Sequence, residues 1–376
     1  MRITAAVLET AGGPFALRDV DLGEPRPDEV LVGLSGTGIC GTDLEFATFF
    51  PTPAVLGHEG SGVVERVGAQ VTSVAPGDRV AMSFTSCGRC PTCRTGAPAY
   101  CHRFDAVNFS GRRPDGSSAL SLDGAPINGH FLGQSSFATH AVVPERAIVP
   151  IGDGIDVSLA GPFGCGFQTG AGGVFNVLRP EAGSSIAVFG AGAVGVAAII
   201  AAAVSGCGIV AAVDVNAAKL EAARSYGATH IVDSTATGAG VGTATGTGAG
   251  AGAGTAEALR AIAPHGFDYV IDTTGRQDVL RTAVEALGPL GRCGVIGVGP
   301  SPEMSFDWRS VLNGRTITGI IAGSSVPQVF LPKLLDLHAA GRFPVDRMMT
   351  AFPFEKINEA VAAVRAGEVA KAVLTF

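Results

Sequence analysis

Four cysteines stand within fifteen residues of this sequence, as Cys87, Cys90, Cys93 and Cys101 in the pattern C-x2-C-x2-C-x7-C. Thiolates at this spacing can surround one zinc ion tetrahedrally, and an all-cysteine set leaves no coordination position for a substrate. The pattern therefore predicts a structural zinc ion that holds a loop together. An iron–sulfur cluster or a set of free thiols is the alternative, although the Cys-Pro ending and second cysteine run of ferredoxins do not accompany the motif.

A second set of potential ligands is dispersed along the chain, as Cys40 in GTGICGTDLEF, His58 in VLGHEGSGVVERVG and Cys165 in GPFGCGFQTG. Two cysteines and a histidine form a catalytic zinc pattern, because the fourth position of the ion stays available for water or an alcohol oxygen. Taken singly, each residue also fits a plain structural role, as a small buried thiol or a histidine satisfied in the core. The combination favours metal chemistry.

A glycine motif, GxGxxG, is formed by Gly190, Gly192 and Gly195 between a predicted strand and an alanine-rich helix, and Asp214 ends the next predicted strand. This spacing is typical of a βαβ dinucleotide-binding unit, whose glycines permit a tight turn, an approaching pyrophosphate and a closely packed helix. An aspartate in this place accepts hydrogen bonds from ribose hydroxyls and repels a 2′-phosphate, so the sequence predicts NAD rather than NADP. An ordinary buried glycine-rich helix is the alternative.

The elements that follow continue this pattern. Strands are predicted in ATHIVD, FDYVIDTTG and GRCGVIGVG, with helices at residues 216–226 and 279–287 between them. About six strands alternating with helices predict a doubly wound parallel sheet. The uncharged stretch 184–213 is long enough to cross a bilayer, but its strand, glycine turn, helix and second strand assign it to this sheet.

One segment interrupts the pattern, because residues 234–256 contain only Gly, Ala, Thr, Ser and Val. Such a composition buries too little apolar surface to offset the entropy of ordering. It predicts a surface loop, and a partner-binding or regulatory segment is the alternative.

The whole composition restricts the possible partners. The 376 residues are 47% hydrophobic with a formal net charge of −7, which predicts about two globular domains and excludes a nucleic-acid face built from clustered Lys and Arg. Small molecules are the expected partners. The N-terminal stretch MRITAAVLETAGGPF is typical of a first strand rather than a signal peptide. We therefore expect a cytoplasmic protein without a membrane segment, in a compartment where clustered cysteines bind metals more often than they form disulfides.

Together these motifs resemble the zinc-dependent medium-chain alcohol dehydrogenases, from about residue 3 to residue 376. The matching stretches are CGTDL, GHEGSGVVERVG, PGDRV, CGRCPTC with Cys101, GCGFQTG, GAGAVG, AVDV, FEKINEA and KAVLTF. Within that family, PAYC, NFSGRRPDGS and GQSSFATHAVV resemble the aryl-alcohol (benzyl-alcohol) dehydrogenases. The resemblance implies reversible oxidation of a primary aryl alcohol to its aldehyde, with NAD as coenzyme and two zinc ions per chain, one catalytic and one structural.

The resemblance also implies the fold, an α/β architecture of two domains. A β-rich GroES-like catalytic domain, residues 1–166 and 322–376, would surround a doubly wound Rossmann coenzyme domain, residues 167–321. Catalytic zinc would lie on the dispersed cysteines and histidine.

Residues beside those ligands receive roles by the same resemblance. Asp43 would orient the zinc-binding histidine, Glu59 would lie close behind the metal, and Thr42 would receive the proton of the alcohol. Glu45 stands where many relatives carry a histidine at the surface end of the proton path. Glutamate has a reference pKa of about 4.3 against about 6.5 for histidine, so an altered pH profile is expected.

Further positions are assigned to the coenzyme. Lys371 matches a basic contact to the pyrophosphate, and Lys219 and Val298 are placed with the other coenzyme-binding residues. Gly41 replaces a pyrophosphate-binding Arg or His of some relatives, which predicts faster coenzyme release.

The substrate pocket and the assembly complete what the resemblance implies. Phe84, Phe131 and Leu132 would line a pocket together with Val298, and Phe49 or Phe50 would lie near its mouth; these walls suit planar aromatic or medium-length apolar alcohols. Plain core packing is the alternative for each ring. A strand at residues 316–322 looks like the family's dimer-forming edge, so a homodimer is expected before a homotetramer.

Two other functions remain open at this point. One is a biosynthetic reductase on the same scaffold that uses NAD(P)H on an aldehyde, an iminium or a conjugated carbonyl. The other is a non-enzymatic zinc-containing binding protein, which the presence of Cys40, Thr42, Asp43, His58 and Cys165 together disfavours.

Overall fold

The computed structural model describes residues 1–235, 251–299 and 303–376. The chain divides into two compact units. The first unit comprises Met1–Gln168, Ser325–Gly341 and Val345–Phe376, and the second comprises Thr169–Ser324 and Arg342–Pro344.

The N-terminal part of the first unit is built mainly of short strands, in which apolar side chains such as those of Val30 and Val32 are buried. Its strands are β1 (Arg2–Leu8), β2 (Phe15–Leu22), β3 (Glu29–Gly38), β4 (Ala54–Val55), β5 (Glu59–Val67), β6 (Arg79–Met82), β7 (Leu120–Leu122), β8 (Ala125–Pro126), β9 (His140–Pro144) and β10 (Ile148–Pro150). Its helices are α1 (Gly41–Phe46), α2 (Pro91–Arg94) and α3 (Phe104–Asn108).

The chain then alternates between strands and helices through the second unit. The strands are β11 (Ser185–Phe189), β12 (Ile209–Asp214), β13 (His230–Asp233), β14 (Phe267–Asp272), β15 (Leu287–Val295) and β16 (Thr316–Gly319). The helices, of which the first begins at the boundary between the units, are α4 (Gly166–Gly172), α5 (Ala193–Val204), α6 (Ala217–Ser225), α7 (Ala251–Ile262), α8 (Gln277–Glu285) and α9 (Trp308–Leu312).

The C-terminal part returns to the first unit as α10 (Pro327–Ala339), β17 (Met349–Pro353), α11 (Ile357–Ala366) and β18 (Lys371–Thr375). Strand β18 pairs antiparallel with β3, with Val373 opposite Gly38. Two sheets result among the described residues, with strand orders β4-β1-β2-β7-β8 and β10-β6-β5-β3-β18-β17, and β9 also pairs with β3. The last strand of the chain therefore lies beside one of the first.

The second unit contains a parallel sheet whose described strands follow the order β13-β12-β11-β14-β15-β16. Its core includes Phe189, Phe267 and Leu259. Strand order reverses between β11 and β14, and ligands of such sheets bind at the carboxyl ends of strands beside this reversal. The predicted doubly wound sheet is confirmed, and residues 184–213 form β11, α5 and β12 within it. No helix in the described part of the chain is long and apolar enough to span a membrane.

The loop predicted for residues 234–256 is wrong over its last part, because α7 begins at Ala251. Alanine has the highest helix propensity, and Thr255 and Ala256 are buried on the same helix as the core residue Leu259. Residues 236–250 of the predicted loop lie outside the described residues.

Candidate functional site

The dispersed ligand candidates come together in the first unit. One donor atom each from Cys40, His58, Glu59 and Cys165 lies within 4.8 Å of the others. Cys40 precedes α1, His58 immediately precedes β5, which begins at Glu59, and Cys165 follows a 3-10 turn at Gly161–Gly164. Three separate segments of the chain thus deliver the donors to one place.

The orientation of His58 is fixed by Asp43. Its imidazole Nδ1 lies 2.7 Å from Asp43 Oδ1, which also accepts from the backbone N–H of Gly57 at 3.1 Å. The other oxygen of Asp43 accepts from the backbone N–H of Cys40 at 3.0 Å. Burial disfavours a charged imidazole, but the adjacent carboxylate outweighs it and raises the pKa of His58 well above its usual range. Nε2 of His58 is left facing Cys165 Sγ, at 3.2 Å.

The donor chemistry of this cluster fits zinc. A hydrogen bond from the Cys165 thiol lowers the pKa of Cys40 well below its usual range in spite of burial, with a smaller contribution from His58. Two sulphurs and one imidazole are the ligands that zinc takes in Cys2His catalytic sites. Asp43 accepts a hydrogen bond from the imidazole nitrogen that faces away from the cysteines, as carboxylates beside metal-bound histidines do.

Glu59 and Lys371 form a buried ion pair beside this cluster. Lys371 Nζ contacts Glu59 Oε2 and donates to the carbonyl of Ile39 at 3.2 Å. Burial opposes the charge on Lys371, but the Glu59 carboxylate outweighs it and raises the pKa of the lysine. Lys371 is only 3% exposed, so the structure directs it to Glu59, and its contact with a coenzyme pyrophosphate stays a prediction.

Helix α1 carries the two residues assigned to the proton path. Thr42 is half-buried and Glu45 is exposed, three residues further along the helix. Residues three apart in a helix lie on the same face. Gly41 is exposed, and a Cβ built there would have nothing within 4 Å.

The four clustered cysteines also converge in the first unit. The sulphurs of Cys87, Cys90, Cys93 and Cys101 lie within 4.8 Å of one another, with 3.4 Å between those of Cys90 and Cys93. Backbone N–H groups point at the sulphurs, as from Cys90 to Cys87 Sγ at 3.4 Å. The set fits a closed tetrahedral zinc site. The eight cysteines of the chain, all in its described part, form no disulfide.

In the second unit the glycine motif adopts a tight turn between β11 and α5. Gly190 has φ +93, and a Cβ there would lie 2.3 Å from Thr273 Oγ1. A Cβ on Gly195 would lie 1.7 Å from the carbonyl oxygen of Gly190, so this glycine lets the helix pack closely. Around Gly192, the N-cap of α5, a Cβ would meet nothing within 4 Å. This opening leaves the helix N-terminus accessible to an anion.

Asp214 lies beside this turn at the end of β12. Its carboxylate accepts from the backbone N–H of Ala191 at 2.6 Å and from that of Asn216 at 2.9 Å. Lys219 is half-buried in the first turn of α6, while Val298 is 80% exposed. Asp214 is thus hydrogen-bonded to the glycine turn. Among the described residues, the structure shows no hydrogen bond from Lys219 or Val298 to this turn.

The residues predicted for the substrate pocket differ in their neighbours and in their exposure. The ring of Phe131 lies edge-on to the imidazole of His58, with centroids 5.7 Å apart. The ring of Phe84 instead lies 5.6 Å from that of Phe104. Phe84, Phe131 and Leu132 are all buried, and of the two phenylalanines predicted at the mouth, Phe49 is exposed and Phe50 is buried.

Two aromatic residues near His58 escaped the sequence analysis. Phe46 and Phe109 are half-buried, stack with centroids 4.7 Å apart, and lie 5.2 Å and 5.9 Å from Phe131. Phe46 follows the CGTDL motif on α1, one helical turn after Asp43, and this spacing was the available signal. The pair forms an aromatic surface next to the buried ring.

Two family models and a relative of known activity match this chain. The model of the alcohol dehydrogenase GroES-like domain matches residues 26–153, and that of the zinc-binding dehydrogenase matches residues 193–339. The geraniol dehydrogenase of Castellaniella defragrans is 42% identical over 379 residues, which cover 99% of this chain and 97% of that protein.

Two solved structures are similar along the entire chain. An alcohol dehydrogenase zinc-binding domain protein from Burkholderia ambifaria is 42% identical with a TM-score of 0.93, and the match covers 100% of this chain and 99% of that one. The benzyl alcohol dehydrogenase of Acinetobacter calcoaceticus is 38% identical with a TM-score of 0.92, at the same coverage of 100% and 99%.

Proposed function

The chain belongs to the zinc-type medium-chain alcohol dehydrogenases, and on this premise we propose that it oxidises a primary alcohol whose carbinol carbon is attached to an aromatic or other unsaturated carbon, with NAD as hydride acceptor. Oxidoreductase activity follows from the family. The substrate class and the choice of NAD are the proposed part. Aryl alcohols are the first candidates.

The observation that carries the proposed substrate is the aromatic surface beside His58. Phe131 is buried against the imidazole, and the half-buried rings of Phe46 and Phe109 stack on each other and contact it. Flat unsaturated groups pack well on aromatic edges and faces. The names of two relatives, geraniol dehydrogenase and benzyl alcohol dehydrogenase, agree with this choice, since both alcohols carry the hydroxymethyl group on an unsaturated carbon.

We assign the catalytic metal to Cys40, His58 and Cys165, which would hold zinc while Asp43 keeps the imidazole in one orientation. Zinc, when bound, supplies a Lewis acid that polarises the oxygen of the alcohol, and NAD accepts the hydride. His58 and Asp43 are buried, which limits the access of water to the imidazole. A drier site strengthens every electrostatic interaction within it.

The proton of the alcohol is assigned to a path along α1. Thr42 would accept it at its hydroxyl and pass on its own proton, and Glu45 on the same helix face is exposed to solvent. The alcohol thus loses a proton toward this helix and a hydride to the coenzyme, which balances the two-electron oxidation.

The coenzyme is assigned to the glycine turn of the second unit. Backbone N–H groups at the N-terminus of α5 are open at Gly192 and suit a pyrophosphate. Asp214, held beside the turn by Ala191 and Asn216, would receive the ribose hydroxyls and repel a 2′-phosphate. Lys219, Val298 and Lys371 remain proposed coenzyme contacts.

The four clustered cysteines are assigned to a second, structural zinc ion. Their sulphurs lie close enough for one tetrahedral site, and none of the four belongs to the group around His58. We expect this ion to stabilise the loop between β6 and α3 and to take no part in the chemistry.

A homodimer is the proposed assembly, with a homotetramer as the alternative. Strand β16 ends the sheet among the described residues, and the side chains of Leu290, Trp308 and Leu312 nearby are exposed. An exposed sheet edge with apolar neighbours favours pairing with a second copy. The cysteines of the chain form no disulfide, which agrees with a reducing compartment, for which we propose the cytoplasm.

The experiment is a panel of benzyl, cinnamyl, geranyl, straight-chain and secondary alcohols, each tested with NAD and with NADP by the appearance of reduced coenzyme. We expect the highest kcat/KM with NAD for alcohols bearing an unsaturated carbon next to the hydroxymethyl group. The corresponding aldehydes are tested with NADH in parallel. Turnover of aldehydes or conjugated carbonyls alone would instead identify a reductase.

A further inference from the structure

The amide of Gln134 holds the backbone of the His58 segment. Its Nε2 donates to the carbonyl of His58 at 2.8 Å, and its Oε1 accepts from the N–H of Gly60 at 3.2 Å. A second proton of the same Nε2 is donated to the carbonyl of Ser83 at 3.0 Å. Gln134 is buried, so its amide fixes the stretch from His58 to Gly60 from one side.

A second buried amide, that of Gln168, holds the segment that carries Cys165. Its Nε2 donates to Ser83 Oγ at 2.6 Å and to the carbonyl of Gly164, and its Oε1 accepts from Ser325 Oγ at 2.8 Å. Ser83 Oγ in turn donates to the carbonyl of Gly164 at 2.7 Å. The residue just before Cys165 is thereby bonded to both Ser83 and Gln168.

Ser83 joins the two amides. Its carbonyl receives Gln134 and its hydroxyl receives Gln168, so a continuous chain of hydrogen bonds runs from the carbonyl of His58 to that of Gly164. The side chains of Gln134, Ser83 and Gln168 are buried, at 2%, 0% and 0% exposure. A buried network whose donors and acceptors are all used fixes one arrangement, whereas a partly used one is costly.

The segment that ends at Cys165 is closely packed, so its backbone has little room to move. A Cβ on Gly164 would lie 1.7 Å from the carbonyl oxygen of Met82, the residue before Ser83. The Gly164 backbone is therefore in direct contact with the end of β6. The segment that leads to the donor Cys165 thus packs directly against β6. A change in the hydrogen bonds of Ser83 or Gln168 would act on this segment.

We propose that Gln134 and Gln168, joined through Ser83, are positioning residues that set the distance between the His58 and Cys165 segments and so hold two metal donors at the spacing that zinc requires. The inference rests on the proposed function, because it takes these donors to bind zinc. Loss of a residue that orients a metal ligand typically lowers metal affinity about 10–100-fold. The hydrogen bonds of the two amides and of the Ser83 hydroxyl reach backbone groups of His58, Gly60 and Gly164, so each of the three acts through the backbone.

The test uses full-length enzyme with three variants. Gln134→Met and Gln168→Met keep the length of the side chain and remove the amide, and Ser83→Ala removes a single oxygen and is the mildest change. Asn108→Leu is the matched control for the glutamines, since the buried Asn108 amide accepts from the N–H of Thr85 and donates to its carbonyl, both at 3.0 Å. Ser185→Ala, which loses a hydroxyl bonded to Asp268 Oδ2 at 2.7 Å, is the control for the serine.

Two readouts follow the metal rather than turnover. Zinc release to a chromophoric chelator is recorded over time, and Cys165→Ala identifies the phase that belongs to the catalytic site. The protein is also loaded with Co²⁺, whose d–d absorption bands report ligand geometry. Thermal midpoints are measured for all variants, so that general destabilisation is separated from an effect on the site.

We expect catalytic-phase zinc release to be about 10–100-fold faster in Gln134→Met and Gln168→Met, with a smaller acceleration in Ser83→Ala and altered Co²⁺ bands in all three. Asn108→Leu and Ser185→Ala should lower the thermal midpoint without either effect. The inference is overturned by the following result: the three variants lose thermal stability as the controls do, but their rate of zinc release and their Co²⁺ absorption bands are those of wild type. A separate outcome concerns the proposed function itself. If Cys165→Ala releases zinc with the same phases as wild type, the assignment of a metal to Cys40, His58 and Cys165 fails.

Discussion

Asp43 and His58 are joined by a hydrogen bond of 2.7 Å between Oδ1 and Nδ1, and both side chains are buried. The same carboxylate receives the backbone N–H groups of Cys40 and Gly57. One acid therefore connects the segment before α1 with the segment before β5. Its charge and its position together decide which imidazole nitrogen is free to bind a metal.

Replacement of this acid by an amide should weaken the metal site. In Asp43→Asn we expect zinc affinity at the catalytic site to fall about 10–100-fold, because the uncharged side chain no longer favours a proton on Nδ1 as strongly. Competition with a chelator of known affinity measures the change. Asp156→Asn, in an exposed turn of the same unit, is the control. Equal zinc affinity in Asp43→Asn and wild type would refute the orienting role.

The two cysteine sets should respond differently to substitution. Wild type is expected to contain two zinc ions per chain, and Cys165→Ala and Cys101→Ala one each. Cys165→Ala should abolish turnover and retain coenzyme binding and a near-native melting temperature, because it opens only the catalytic set. Cys101→Ala should lower the melting temperature more, since a closed tetrathiolate site contributes to folding. Elemental analysis, calorimetry and rate assays check this, and activity that survives in Cys165→Ala contradicts the assignment.

The charge of Asp214 should govern the choice of coenzyme. Asp214→Asn keeps an oxygen that can accept from the N–H of Ala191, now 2.6 Å from the carboxylate, but removes the repulsion of a 2′-phosphate. We expect the ratio of kcat/KM for NADP to that for NAD to rise at least about tenfold, which corresponds to about 1.4 kcal/mol. Steady-state rates with both coenzymes measure it. If wild type already uses NADP as well as NAD, the role given to Asp214 is wrong.

The parts of this site that the sequence predicted are those set by local spacing. One strand–turn–helix–strand unit contains Gly190, Gly192, Gly195 and Asp214. Its spacing therefore predicted both the chemistry of the turn and the fold of the second unit. The cysteines and His58 could be recognised as ligands by their types. Their convergence in one cluster is a tertiary fact, to which only the family resemblance pointed.

Contacts that depend on strand pairing could not be predicted in the same way. Lys371 reaches Glu59 because β18, at the end of the chain, pairs with β3, which pairs with β5. The partners are more than three hundred residues apart, and no periodicity in either strand specifies the pairing. The amides of Gln134 and Gln168 could not be predicted for another reason, since a glutamine in sequence is usually an exposed residue.

A buried ion pair outside the site should contribute strongly to stability. Arg113 donates to Glu29 through Nε at 2.7 Å and Nη2 at 2.5 Å, and both side chains are buried. Arg113→Met leaves the carboxylate without this partner and should lower the free energy of unfolding by about 3–5 kcal/mol. The double variant Glu29→Met with Arg113→Met should lose less than the single one. Denaturant unfolding of Arg113→Met, Glu29→Met and the double variant tests this, and additive losses would contradict it.

His130 should make the protein less stable in mild acid. Burial lowers the pKa of His130 to about 4; Glu29 opposes this shift, while Arg113 and Arg26 add to it. The unfolded chain takes up a proton on this histidine below about pH 6.5, whereas the folded chain does so only near pH 4. Between these values the unfolded state binds more protons, so the contribution to stability is present above about pH 6.5 and is lost as the pH falls.

The expected loss from this residue is about 3 kcal/mol between pH 7 and pH 4. His130→Asn removes the titrating group, and asparagine tolerates the left-handed backbone found there, with φ 60. We expect the fall in unfolding free energy between pH 7 and pH 4 to be smaller in the variant by that amount, as measured by urea unfolding at several pH values. His265→Asn, at an exposed histidine of the second unit, is the control. An unchanged pH dependence in His130→Asn would show that the folded protein protonates this histidine as readily as the unfolded chain does.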